Sequence, residues 1–398
     1  MEQLMAPHID TNPDFFGFYE MLSASEREEL AQLREYLEKE VKPLMSAAWE
    51  SSQFPFEVVE KLAKLRLAGY LYPEYGDGKE RSPLFPGFAG IELARVDPSL
   101  FVFTGVHLGL SMGSIYGGGD EEQVRRWFPD MVEMRKIGAF ALTEPEGGSD
   151  VAGGMRTTAR RDGDSWVING AKRWIGNATF ADLIVVWARD LADNQIKGFV
   201  VAKGTPGLTT TKIEGKIALR TVQNADIVLD GVRVPEADRL QRILSWRDTA
   251  KVLAKTRGGV AWLALGISMR AYELAREYAL SRTQFGKPIA SYQMIQDLLA
   301  NMLGNVTSVF GIVARLNQLV AEDRATGQQA ALAKAVATTR MRETVAWARE
   351  LFGGNGIVLD YEIAKLFGDA EGVYSFEGTR QMNNLIVGKA ITGISAFV

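Results

Sequence analysis

Ile137-Gly138-Ala139-Phe140-Ala141-Leu142-Thr143-Glu144-Pro145 marks the point at which the hydrophobic period of this chain changes. Before it, from Ser23 to about Lys136, apolar residues recur at helical spacing. Leu30, Leu33, Tyr36, Leu37 and Val41 follow a Ser23-Ala24-Ser25-Glu26 capping start, and further helices are expected near 55–67, 88–96 and 121–133. After it, short β-rich runs at 138–142, 165–168, 183–188, 198–202, 208–213 and 226–229 alternate with the turns Asp162-Gly163-Asp164, Asn169-Gly170 and Asp230-Gly231. Beyond Pro235 the helical pattern returns over 248–281, 291–322, 326–352, 361–369 and 380–393. Long helices with short connections predict an antiparallel bundle. The expected fold class is therefore α+β, mostly α: an N-terminal helical domain over 1–137, a central antiparallel β-barrel or sandwich over 138–242 and a C-terminal four-helix bundle over 243–398. A Rossmann arrangement is excluded, because βαβ units do not alternate and no Gly-x-Gly-x-x-Gly follows a strand to open a helix.

Composition narrows the chemistry. Apolar residues at 46% and charged residues at 24% are those of an ordinary globular protein, and no stretch reaches the roughly 20 continuous apolar residues of a membrane span. A formal charge of −4 and short, interrupted basic clusters argue against a nucleic-acid partner. With no cysteine, disulfides, thiolate nucleophiles and zinc–sulfur sites are excluded. Only His8 and His107 offer an imidazole, neither in a metal or relay motif, and His107 reads as a helix-packing residue; no metal site is expected. Difficult chemistry on such a chain calls for a bound cofactor. The Met1–Pro7 stretch has no signal or transit layout and Ala396-Phe397-Val398 is no peroxisomal tripeptide, so a cytoplasmic location is expected.

Four segments carry candidate chemistry. In Tyr374-Ser375-Phe376-Glu377-Gly378-Thr379-Arg380-Gln381 a lone acid stands between an aromatic residue and a glycine. Desolvation there raises a carboxyl pKa toward that of a carbon-proton base. Phe140–Asp150 starts as a strand and ends in a glycine-rich turn, Glu146-Gly147-Gly148-Ser149, suited to a planar heterocycle followed by a phosphate or carbonyl. Lys172-Arg173-Trp174-Ile175-Gly176-Asn177 puts an indole on the same domain. Ser281-Arg282-Thr283-Gln284-Phe285-Gly286 ends a long helix with a guanidinium, an amide and a ring. Each also fits a plainer reading: a capping acid, a β-turn, a core tryptophan, a solvated arginine.

Taken in order, Leu142-Thr143-Glu144-Pro145 with Gly148-Ser149-Asp150, Trp174-Ile175, Arg282-x-Gln284-Phe285-Gly286, Phe352-Gly353-Gly354-Asn355-Gly356 and Glu377-Gly378-Thr379 resemble the acyl-CoA dehydrogenase family over nearly the whole chain. The resemblance implies FAD-dependent α,β-dehydrogenation of an acyl-CoA thioester, with Glu377 taking the α-proton and flavin N5 the β-hydride. It implies that Phe140, Leu142, Thr143, Trp174, Ile175 and Gly176 line the isoalloxazine and that Gly148 and Ser149 lie where flavin and CoA meet. Thr379 and Gln381 would contact the FAD of the same site, and Arg257 the CoA. Arg282, Gln284, Phe285 and Gln293, with Glu350, Gly353 and Gly354, would reach the FAD of a neighbouring subunit, implying a homotetramer. Phe101, Phe376 and Gly378, with Ser149, would border the substrate. The expected partner is an electron-transfer flavoprotein or a similar acceptor.

Within the family, Thr379 and the ending Ile386-Val387-Gly388-Lys389-Ala390-Ile391-Thr392-Gly393 look most like the glutaryl-CoA dehydrogenase and short-chain acyl-CoA oxidase branch. Two positions depart from it. Phe101 falls where glutaryl enzymes hold the distal carboxylate with an arginine, and Ala94 where an acid is expected; a ring cannot pair a buried carboxylate, so an uncharged acyl chain is expected. Gly176 falls where most dehydrogenases carry threonine beside flavin N5, which keeps oxidase reactivity with O2 as an alternative. Phe376 replaces the commoner tyrosine.

Overall fold

The computed structural model describes residues 13–396, and within them not the side chains of Ala152 and residues 252–255. His8, the Met1–Pro7 stretch and the terminal Phe397 and Val398 lie outside the described residues. Helix α1 (Ala24–Tyr36) opens with a reciprocal cap, in which Glu26 N donates to Ser23 Oγ and Ser23 N to Glu26 Oε2. It passes through a π turn at Leu37–Val41 into α2 (Lys42–Ser51), which keeps Leu30, Leu33, Leu37 and Val41 buried on one face. There follow α3 (Glu57–Lys64), α4 (Phe85–Val96), α5 (Pro98–Gly118, with a π segment at Gly105–Ser111) and α6 (Glu121–Val132). α3 stops short of the expected Leu67 because Arg66 takes a left-handed φ of 50°.

By length and composition α5 and Gln293–Ala321 are apolar enough to cross a membrane, although no single run of the sequence suggests it. In this fold both are packing helices. The first is fastened at its centre by His107, which is fully buried: Gly138 N donates to Nδ1 at 3.0 Å, so the ring's proton is on Nε2 and is donated to Met131 O at 3.0 Å. The expected packing histidine thus ties α5, α6 and the first strand together. Burial pushes its pKa down to about 4. Because the unfolded ring titrates near 6.5, its contribution is complete above that pH and is lost as pH falls toward 4, in total roughly 3 kcal/mol. Denaturant midpoints of wild type and His107→Gln measured from pH 7 to pH 4 should therefore converge on acidification.

The central sheet contains β1 (Gly138–Ala141), β2 (Thr158–Asp162), β3 (Ser165–Ile175), β4 (Leu183–Asp190), β5 (Ile196–Ala202), β6 (Leu208–Lys212) and β7 (Ala225–Pro235). Its order is β1-β4-β2-β3-β7-β6, with β5 on the other edge of β4. Four pairings are antiparallel, as expected, whereas β1 and β2 each join β4 in parallel, one along Leu183–Val186 and the other along Arg189–Asp190. The departure follows from connectivity: the β2–β3 hairpin intervenes between β1 and β4, and a long crossover permits a parallel return. β2 carries Arg160, Arg161 and Asp162 with only Ala159 fully buried, too weak an alternation to read as a strand. β4 is covered on both faces. Leu183, Val185 and Trp187 join the large core shared with the helices, while Ile184, Val186 and Ala188 fill the inside of the curled sheet with Ala139, Phe199, Ile227 and Val232.

The C-terminal helices are α7 (Trp246–Ser281), α8 (Gln293–Ala321), α9 (Gly327–Leu351), α10 (Glu362–Ser375) and α11 (Arg380–Thr392). Four match the expected spans closely, and α10 runs six residues further, to the edge of the Glu377 segment. α4 lies against α7 at Gly266, where a Cβ would come 2.6 Å from that of Ala94. α10 meets the other two parts of the molecule through buried polar groups: Lys365 pairs with Asp97, and Asp369 Oδ1 accepts from Trp49 Nε1 at 2.9 Å and Leu219 N at 2.5 Å.

Candidate active site

Glu377 sits in the four-residue break, 376–379, between α10 and α11. The chain leaves α10 at Ser375, Phe376 is extended, and Glu377 (φ 54°) and Gly378 (φ 85°) are both left-handed before Thr379 caps α11 by accepting from Met382 N at 3.2 Å. Only glycine takes the second of these conformations without strain, which explains the Glu-Gly pair. Its half-buried carboxylate receives the Thr256 hydroxyl on Oε2 at 3.0 Å, and Arg257 and Lys334 are the cations acting on it. Burial outweighs all three and raises the carboxyl above its ordinary range. Among the described hydrogen bonds none occupies the Glu377 N–H, which leaves a donor beside the carboxylate.

On the β domain, Arg173 N donates to Thr143 O at 2.9 Å, which sets the Phe140–Thr143 run beside Trp174, Ile175 and Gly176. β3 bulges between Lys172 and Ile175. The bulge gives Trp174 a φ of 64° and turns its indole out of the sheet, 51% exposed, while Ile175 and Gly176 stay buried. Tryptophan in that conformation is strained, a feature that concentrates at functional positions. The plainer reading of Trp174 as a core residue therefore does not hold, while Phe140 and Leu142, expected beside it along the flavin, are buried. Gly148 and Ser149 are exposed on the turn that follows. That turn is anchored by Glu144, which accepts from Arg156 N at 2.6 Å, Thr157 N at 2.9 Å and the buried Lys172 Nζ at 2.9 Å. Burial pushes Lys172 down to about 8 despite the attraction of Glu144, whose carboxyl lies below its ordinary range.

Gly176 does not open a void. A Cβ there would meet Val106 Cγ2 at 3.2 Å and Val222 Cγ1 at 3.8 Å, so valine methyls occupy the space a threonine would take. Phe101 packs its ring over Gly90, 2.8 Å from where a Cβ would stand, and against Gly105, and it borders the large core with Phe376.

The third group stands apart. Arg282 caps α7, and Thr283–Gln284 pairs with Lys287–Pro288 through a two-residue turn in which Phe285 (φ 52°) and Gly286 (φ 82°) are both left-handed. The Phe285 ring is 95% exposed. Arg282, Gln284 and Gln293 are exposed too, as are Glu350, Gly353 and Gly354. Tyr278 joins the two halves of this patch, stacking on Phe352 at 4.1 Å and meeting Asn355 Nδ2 at 2.9 Å. Along α7 this patch is roughly 36 Å from Arg257 at 1.5 Å per residue. Thr379 and Gln381 are exposed next to Glu377.

Three contributors escape a reading of the sequence: Thr256, Lys334 and the Lys172–Glu144 pair. Lys334 lies in a buried stripe with Ala330, Ala331, Ala335, Ala337 and Thr338, and a charge on an otherwise apolar face is the signal that could have found it.

An exposed, flat indole and a glycine turn on the β domain, with a desolvated carboxylate on the C-terminal helical part, fit a planar cofactor with a polar tail. Comparison with known proteins agrees. Three family models match in register: the acyl-CoA dehydrogenase N-terminal domain over 23–135, the middle domain over 139–232 and the C-terminal domain over 246–392. The chain is 34% identical to the short-chain specific acyl-CoA dehydrogenase of Bos taurus over 89% of this chain and 87% of that one. A glutaryl-CoA dehydrogenase from Mycobacterium smegmatis in complex with FADH2 superposes with a TM-score of 0.92 at 34% identity, over 97% of this chain and 99% of that one. Butyryl-CoA dehydrogenase from Megasphaera elsdenii superposes with a TM-score of 0.88 at 30% identity, covering 93% and 98%. The chain belongs to the acyl-CoA dehydrogenase family, a family of FAD-dependent oxidoreductases.

Proposed function

We propose that this protein converts an uncharged acyl-CoA to its trans-2-enoyl-CoA, with Glu377 as the base. The observation that carries the reading is the Glu377 carboxylate itself: desolvated, raised in pKa, held by Thr256 and flanked by an unoccupied backbone N–H. The α-proton of a thioester is too weakly acidic for a carboxylate in water. Desolvation strengthens the base, and the Glu377 N–H is a preorganised donor for the thioester carbonyl, so acid and base are brought toward each other. Bound FAD supplies the acceptor for the β-hydride. Trp174, Ile175 and the Leu142–Thr143 edge would hold its ring system, Gly148 and Ser149 its junction with CoA, and Arg257 the CoA arm. The exposed Arg282–Phe285 hairpin, with Gln293, Glu350, Gly353 and Gly354, is too far along α7 to serve the same cofactor. This favours service to a neighbouring subunit and a tetramer, which sedimentation equilibrium checks.

An apolar acyl end is supported by two contacts. The Phe101 ring offers no partner to a distal carboxylate, and Ala94, fully buried where α4 approaches Gly266 of α7, supplies no acid. Anaerobic flavin bleaching should be at least about a hundredfold faster with butyryl-CoA than with glutaryl-CoA, in line with the cost of an unpaired buried charge. Comparable rates would refute the assignment. The filled space at Gly176 favours an electron-transfer flavoprotein over O2 as acceptor. Turnover in air without added acceptor, with peroxide formed one for one with product, would reverse that choice.

A further inference from the structure

We propose that Lys334 is a positioning residue for the base: from α9 its ammonium ties together the carbonyls on either side of Glu377 and sets a fixed positive charge near the carboxylate. The inference rests on the reading of Glu377 as the base. Lys334 is fully buried, and its Nζ donates to Tyr374 O and to Gly378 O, both at 2.8 Å. The Tyr374 carbonyl belongs to the last turn of α10, whose acceptors no later helical N–H can reach. The Gly378 carbonyl also accepts from Asn383 Nδ2 at 2.9 Å, which fixes the clamp to α11. Between these two anchors lie Ser375, Phe376 and Glu377, and two successive left-handed residues persist only where the surroundings hold them.

A lysine with a purely structural role would be poorly chosen here. Both of its hydrogen-bond partners are neutral carbonyls, so its charge is buried without a contacting counter-ion, and burial pushes it down to about 8. The acid that acts on it is Glu377, while Arg257 from α7 opposes it. Thr256, the residue before Arg257 on α7, donates to the carboxylate at 3.0 Å. Arg342, also on α9, lies 4.4 Å over the Tyr374 ring of α10 and bonds to Glu371 at 2.8 Å, so that pair is already neutralised. The buried charge is compensated when Glu377 is ionised, the state a base must reach before it takes a proton.

Lys334→Met and Lys334→Gln, with Glu377→Gln as reference, separate the two contributions. Amide exchange of the 374–379 segment, followed by mass spectrometry on the purified protein, reads the clamp. The pH dependence of anaerobic bleaching by butyryl-CoA reads the charge. Lys334→Met should accelerate exchange about tenfold or more and move the acid limb of the bleaching rate upward by about one pH unit, because losing a nearby cation raises the carboxyl further. Lys334→Gln keeps a donor without the charge, so the same limb shift is expected with a smaller change in exchange; it decides the matter if the methionine variant does not fold. Wild-type limb and wild-type exchange in both variants, with Glu377→Gln inactive, would overturn the role of Lys334 and leave the base standing. Undiminished bleaching by Glu377→Gln would remove the base assignment and this proposal with it.

Discussion

Glu377→Gln is expected to slow substrate-dependent flavin bleaching by about 10³-fold, within the range carried by a general base, while the protein still purifies yellow. The amide keeps the volume and can still accept the Thr256 hydroxyl, so the left-handed turn and the capping of α11 by Thr379 should survive. What is lost is the ability to take a proton. In the unmodified protein the rate should fall on acidification through the raised pKa of Glu377, since only the ionised form is a base, and this acid limb should vanish in the variant's residual rate. Stopped-flow absorbance with butyryl-CoA at several pH values checks both points. A variant that bleaches as fast as wild type would assign the proton to another group.

Lys172→Met should be the most destabilising single change around the cofactor, by about 3–5 kcal/mol, the cost of leaving one member of a buried ion pair alone. Lys172 is fully buried, bonded to Glu144 at 2.9 Å and to Leu142 O at 3.1 Å. Without it Glu144 keeps two backbone donors, Arg156 and Thr157, but no cation. Because Glu144 fixes both ends of the turn carrying Gly148 and Ser149, the variant should also release FAD more readily. Adding Glu144→Leu removes the stranded charge and should recover only part of the loss, since the Arg156 and Thr157 N–H groups then lack their acceptor. Urea denaturation and the ratio of flavin to protein absorbance test the pair; a lysine variant within 1 kcal/mol of wild type would contradict it.

The sequence by itself determined the order helical, β, helical, the close spans of α7, α8, α9 and α11, the capped start of α1 and the position of Glu377 beside a glycine. These depend on neighbours in the chain: period, caps and turn residues act within a few positions. It also supplied the Arg282–Gly286 motif, though not that Phe285 and Gly286 close a hairpin. Only the tertiary structure decided that β1 and β2 run parallel to β4, that a bulge turns Trp174 outward, and that valine methyls fill the space beside Gly176. It alone brought Thr256, 121 positions from Glu377, and Lys334 to the same turn. Those contacts join residues far apart in sequence, and neither period nor propensity encodes which buried charge a distant helix presents. Glu377 was legible as a candidate base because its aromatic and glycine neighbours are local in the chain, whereas its environment was not, because desolvation and pairing are properties of packing.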